Sequence, residues 1–287
     1  MNTTLAYLPY KLTGNSLSPY ILIFLHGWPD TFSLWDPLIS SLSKDFHCAN
    51  ISYPHYYSMK TDKSDKKCEQ NKNIDKKWGY DFPEIIDALK RTIDKIDLTP
   101  NESHTIVIRE KIIVAHDWGC FYSYCFDHQF PGYIKAMVAL DVGAYANITM
   151  PIAIYQLTLA LAFLLGKPLG GILTRRFLKK IGYKSPWEKA ITPALNYPYY
   201  FLWRNVWRSK FCGDKGFLKG YKPSFPVSFI YGKDKPFQFQ NKKWLDWIER
   251  NQGSYVGVEG GHWVMEKHGD LIEETVRGRI KGLRAKL

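Results

Sequence analysis

Short apolar runs alternate with longer stretches in which apolar residues recur at helical spacing, and this rhythm organises the chain. Tyr20–Leu25 is apolar without interruption, as a strand buried on both faces should be. Phe32, Leu34, Trp35, Leu38, Ile39 and Leu42 then fall at helical spacing, which predicts a helix returning across the sheet. Residues 46–53 read as the next strand, and strand, helix, strand without a hairpin turn means parallel pairing. Residues 5–12 predict an opening strand, 82–96 an amphipathic helix, 111–116 a strand and 133–140 another. From Tyr145 to about Pro223 the alternation breaks, and aromatic-rich helical segments at 151–165, 169–181 and 185–207 replace it. It returns with a strand at 226–231, a helix at 240–251, a strand at 254–258 and a last helix at 271–283. The expected fold is α/β: a mostly parallel, doubly wound sheet built from 1–144 and 224–287, with 145–223 inserted as a helical lid. No internal repeat is present.

A chain of 287 residues can bury a large core, and 45% hydrophobic with 23% charged residues belongs to a folded domain rather than a disordered one. The net charge of +12 widens the choice of partner to an anionic membrane surface or a protein assembly, yet no nucleic-acid-reading motif accompanies it. Its main sources are read as the last helix and residues 60–77, a lysine-rich stretch with interleaved acids expected to be a solvated surface loop. The five cysteines (Cys48, Cys68, Cys120, Cys125, Cys212) are scattered and lack CxxC spacing. That predicts reduced thiols in an intracellular, cytoplasmic setting, with an organelle as the alternative, and no metal site. Residues 1–10 do not read as a signal peptide. The apolar run at 151–165 is too short to span a bilayer and predicts an interfacial or buried helix. Gly166–Gly171 carries three glycines but follows no strand, so it is no phosphate cradle, and no cofactor is expected.

The chemistry gathers at three strand ends: His26-Gly27-Trp28-Pro29, Ala115-His116-Asp117-Trp118-Gly119 and Gly260-Gly261-His262-Trp263. In a doubly wound sheet those ends share one edge, where ligands bind. Asp117 sits where a strand stops, turns sharply and starts a helix; it could be an N-cap or a nucleophile at the apex of a tight turn. Cys120, just past the helix-starting Gly119, reads as a packing residue, and His116 as one that orients the turn.

With His-Gly-x-Pro, His-Asp-Trp-Gly and a late Gly-His in this order, the chain resembles the epoxide hydrolase branch of the α/β-hydrolase family, with haloalkane dehalogenases as close relatives. Ala115 departs from the glycine usual before the nucleophile. The resemblance implies an attack by Asp117 on an sp³ carbon of a small apolar epoxide or alkyl halide, giving an enzyme-bound ester. His262 would be the base for water in the second step, and the N–H groups of Trp28 and Trp118, beside His26 and Gly27, would hold the oxyanion. The acid that orients His262 is Asp234 or Asp141, with Asp234 preferred although its spacing after Gly232 is one residue tighter than the usual Gly-x-x-Asp. Lid tyrosines would protonate the leaving alkoxide; from Tyr155, Tyr197, Tyr199 and Tyr200 the reading selects Tyr155 and Tyr200. In a dehalogenase the Trp118 indole would instead face a halide. The reading outside enzymology is an α/β-hydrolase fold kept as a non-catalytic subunit or binding module.

Overall fold

The computed structural model describes residues 5–56, 78–99, 106–184, 188–211, 218 and 221–285. The segment 60–77, Cys68 and Cys212 lie outside them. Strands β1 (Tyr10–Gly14), β2 (Tyr20–Leu25), β3 (His47–Ile51), β4 (Glu110–His116), β5 (Ala136–Leu140), β6 (Val227–Gly232) and β7 (Ser254–Val258) form one sheet. Their order is β1-β3-β2-β4-β5-β6-β7. β1 runs antiparallel to β3, and all other pairings are parallel.

Side chains alternate between the two faces of the strands, and each face has its own helices. Leu22, Phe24, Val114 and Val138 pack with Ile39 and Leu42 of α1 (Asp36–Leu42) and with Ile272, Val276 and Ile280 of α8 (Gly269–Arg284). Ile21, Ile23, Ile113 and Met137 meet α2 (Phe82–Leu98), α3 (Trp118–Gln129) and Trp244 of α7 (Lys242–Arg250). α2 starts sharply because Asp81 and Glu84 form a reciprocal capping box over its first turn. This is the expected doubly wound sheet. The opening strand lies later than residues 5–12, and residues 32–35 form a 3₁₀ turn before α1.

Between β5 and β6 stand α4 (Met150–Leu165), α5 (Leu169–Lys180) and α6 (Tyr197–Phe211). α4 packs against both α5 and α6. Gly170 permits the α4–α5 crossing: a Cβ there would lie 1.9 Å from the carbonyl oxygen of Ala162. The single helix expected at 185–207 is instead two 3₁₀ turns followed by α6. Pro193 and Pro198 explain the break, because proline is tolerated only in the first turn of a helix. The insertion faces the carboxyl ends of β2 and β4: the Trp28 ring lies 5.9 Å from Phe177, and Trp118 lies 5.2 Å from Tyr199. Among the described residues, no helix is long and apolar enough to cross a membrane.

Candidate active site

Asp117 follows the last residue of β4 with φ 52° and ψ −119°, a conformation that costs a non-glycine residue energy. Asp117 is the N-cap residue of α3, yet its side chain makes no capping bond. The carboxylate turns towards the loop after β2, where the N–H of Trp28 donates to Oδ2 at 2.8 Å. The Trp118 N–H, at the start of α3, also favours the charged carboxylate. Two glycines make this approach possible. A Cβ on Gly27 would sit 2.4 Å from that of Asp117, and one on Gly119 would sit 2.3 Å from the Leu25 carbonyl oxygen. Burial raises the Asp117 pKa, opposed by His262 and the two N–H donors.

His262 arrives from the loop after β7. Its Nε2 lies 3.7 Å from Asp117 Oδ1, and both side chains keep some solvent exposure (18% and 15%). Its Nδ1 lies 2.5 Å from Oδ2 of Asp141, one residue past β5. Asp141 is fully buried with φ 71°, and its other oxygen takes the Gly232 N–H at 3.0 Å and an ion pair from Lys235. The Lys235 side chain is 4% exposed; burial lowers its pKa and Asp141 raises it. Burial disfavours the His262 imidazolium, but the hydrogen bond to Asp141 and the charges of Asp141 and Asp117 outweigh it, and the net pKa is raised.

The preference for Asp234 is corrected. Its carboxylate accepts the Gly260 N–H at 2.7 Å, and its own N–H donates to the Gly260 carbonyl at 3.0 Å. It therefore ties down the turn before His262 rather than the imidazole. The tight spacing carried the signal: the third residue past Gly232 is Lys235, which pairs with the acid supplied by β5.

His26 and His116 hold the frame. His26 gives its Nδ1–H to the Gly27 carbonyl at 3.0 Å and faces Ser52 through Nε2 at 3.3 Å. Burial pushes its pKa down to about 4, so it stays neutral. His116 donates from Nε2 to the His262 carbonyl at 3.0 Å, and its ring lies 4.5 Å from that of His262. Asp30 accepts from the Trp263 indole at 2.9 Å and the Tyr183 hydroxyl at 3.1 Å; burial raises its pKa to about 6. The Cys120 thiol is buried and directed at backbone carbonyls of Ala115 and Leu140. No metal-ligating cluster occurs among the described residues.

Over Asp117 the insertion places Tyr155 and Tyr199. Tyr155 stacks between Phe177 (5.5 Å) and Phe237 (5.7 Å), and its ring lies 6.1 Å from Tyr199. Burial raises both phenol pKa values, and the Asp117 charge raises them further. The selection of Tyr200 is corrected: its ring packs on Phe163 and Phe201. On a helix the neighbouring residue points about 100° away, which turns Tyr199 inward. The Trp118 ring meets Tyr199 edge-on at 5.2 Å, and the Trp28 indole donates to Asn196 at 2.9 Å.

A family model described as Alpha/beta hydrolase family matches residues 22–275. Among curated proteins, epoxide hydrolase 1 of Caenorhabditis elegans is 26% identical over 136 residues, covering 47% of this chain and 28% of that protein. The chain thus spans less than a third of that relative's length. A haloalkane dehalogenase structure from Bradyrhizobium elkani has a TM-score of 0.66 at 15% identity, over 97% of this chain and 95% of that one. A candidate epoxide hydrolase from Pseudomonas aeruginosa, solved as a mutant, also has a TM-score of 0.66, at 16% identity over 96% and 92% of the two chains. At these identities the structural likeness is one of fold.

Proposed function

The chain belongs to the alpha/beta hydrolase family, and from that premise we propose that it hydrolyses small apolar epoxides to diols through an ester on Asp117. Oδ1 of Asp117, the oxygen facing His262, attacks a ring carbon; a C–O bond to the enzyme forms as the ring C–O bond breaks. The electron pair of that bond leaves as an alkoxide, which takes a proton from Tyr155 or Tyr199. Burial keeps both phenols protonated until then. Esterification removes the Asp117 charge that adds to the effect of burial on both, so each becomes a stronger acid as the alkoxide develops.

In the second step His262 Nε2 takes a proton from water, which attacks the ester carbon. Negative charge then gathers on Oδ2, already held by the N–H of Trp28. Collapse of this tetrahedral species breaks the bond between the carboxyl carbon and Oδ1, the diol oxygen leaves with the proton from His262, and the acid proton left on Asp117 returns through water to the tyrosine phenolate, restoring both groups. Asp141 keeps the imidazole in the tautomer with a proton on Nδ1 and steadies the imidazolium, and Lys235 with Gly232 keeps Asp141 in place. The insertion acts as the lid.

The observation that carries this reading over dehalogenation is the pairing of roof and floor. The Tyr155 and Tyr199 rings of the roof lie 6.1 Å apart and Tyr199 lies 5.2 Å from Trp118, the residue after Asp117, whereas the Trp28 indole, one of those that could cradle a halide, already donates to Asn196. The test is intact-mass analysis of the His262→Gln variant after exposure to styrene oxide and, separately, to an ω-haloalkane. An adduct of the epoxide's mass, mapped to Asp117 and absent from Asp117→Asn, is expected. Halide release in its place would assign the site to dehalogenation, and folded protein inert to both would favour the binding-module alternative.

A further inference from the structure

The charge of the chain is unevenly distributed. Residues 145–223 hold thirteen Lys and Arg against two acidic residues, Glu188 and Asp214, a surplus of eleven out of the chain's twelve. This count corrects the attribution of the excess to 60–77 and the last helix. No acidic residue occurs between Asp141 and Glu188.

Within the same span large apolar side chains face outward. Among the described residues nineteen are exposed, and ten of these lie between Ile148 and Ile181. On α4, Met150, Ile154, Leu157, Leu161 and Leu164 recur at steps of four and three, which places them on one face. Their exposures run from 47% to 73%, and α4 contains no charged residue. A surface helix of a soluble domain presents the opposite pattern. On α5 the exposed Leu169 and Ile172 are followed by exposed Arg175, Arg176, Lys179 and Lys180, so its outer side passes from apolar to cationic.

We propose that the outward face of the α4–α5 hairpin docks on an anionic lipid surface. At 16 residues α4 is about 24 Å long, too short for a hydrocarbon core of about 30 Å. It lies in the interface with its aliphatic stripe towards the acyl chains, while the basic end of α5 meets the headgroups. Charge complementarity selects this occupant. A second copy would bring two strongly cationic faces together, and an acidic peptide would leave the uncharged stripe of α4 without a partner. The inference rests on the surface of the insertion and not on the reaction assigned to Asp117.

The test is flotation of the full chain with vesicles of phosphatidylcholine alone or mixed with phosphatidylserine. Binding to the mixed vesicles is expected to be at least about tenfold stronger, from roughly a fivefold gain per basic side chain near the surface, and to weaken with salt. Replacing Arg175, Arg176, Lys179 and Lys180 together by Glu should abolish the preference for phosphatidylserine. Leu157→Ser with Leu161→Ser should reduce binding with little change in melting temperature, since both positions are exposed. Absence of vesicle binding, or binding indifferent to both variants, overturns the proposal. So does light scattering that shows a dimer dissolved by the leucine changes, or capture by polyglutamate without binding to vesicles.

Discussion

The sheet edge and the helical insertion supply the two halves of one site under different rules. At the edge each group is fixed by a strand end: Asp117 follows β4, Asp141 follows β5, and His262 lies four residues past β7. A side chain there is set by register, and moving it means breaking the sheet. In the insertion Tyr155 and Tyr199 are set by the phase of α4 and α6 and by how those helices dock. Register is discrete and phase is continuous, so the floor is better determined by local sequence than the roof.

The strongest test of the edge is the choice of acid. Asp141→Asn should slow ester hydrolysis roughly 10²- to 10⁴-fold, by loss of imidazole orientation and charge. Asp234→Asn should cost only a small factor, because its bonds go to the Gly260 turn. Single-turnover decay of the adduct reads both, and equal losses would refute the assignment of Asp141. For the roof, Tyr155→Phe and Tyr199→Phe should each slow adduct formation by about 10²-fold while leaving its decay alone. Tyr200→Phe should alter neither, and a larger loss there than at Tyr199 would mean that α6 is rotated in the working enzyme.

The smallest effect is a shift in pH dependence. His262 must be neutral to accept a proton, and its pKa is raised above 6.5, so ester hydrolysis should fall as pH drops through a value above 6.5. The Lys235 cation works against the imidazolium. Lys235→Met therefore raises the His262 pKa and should move the acid limb upward. A downward shift, or none, in the pH–rate profile would contradict the electrostatic role given to Lys235.

The unbroken apolar run of β2 and the turn at Asp117 were legible because they are local: continuous burial in the first, and a small residue and a glycine around a polar apex in the second. Asp141 was legible only as an alternative. Its selection depends on Lys235, ninety-four residues away, and a buried ion pair between two strand ends leaves no periodic trace. Tyr199 could not be separated from Tyr200 because the start of α6, set by two prolines and two short turns, decides which of two adjacent phenols points down. The charge of the insertion was fully countable in the sequence. Its meaning needed the structure, which turns the uncharged stripe of α4 outward.

Trp28 belongs to both regions. Its backbone N–H holds the Asp117 carboxylate, while its indole grips Asn196, which in turn donates to Thr174 on α5 at 2.7 Å. Three hydrogen bonds thus lead from Oδ2 of Asp117, through Trp28 and Asn196, to the helix that carries the exposed Arg175 and Arg176. The strand end that carries Asp117 and the helix that carries the basic side chains share one line of polar contacts, so neither can shift without the other's partners being remade.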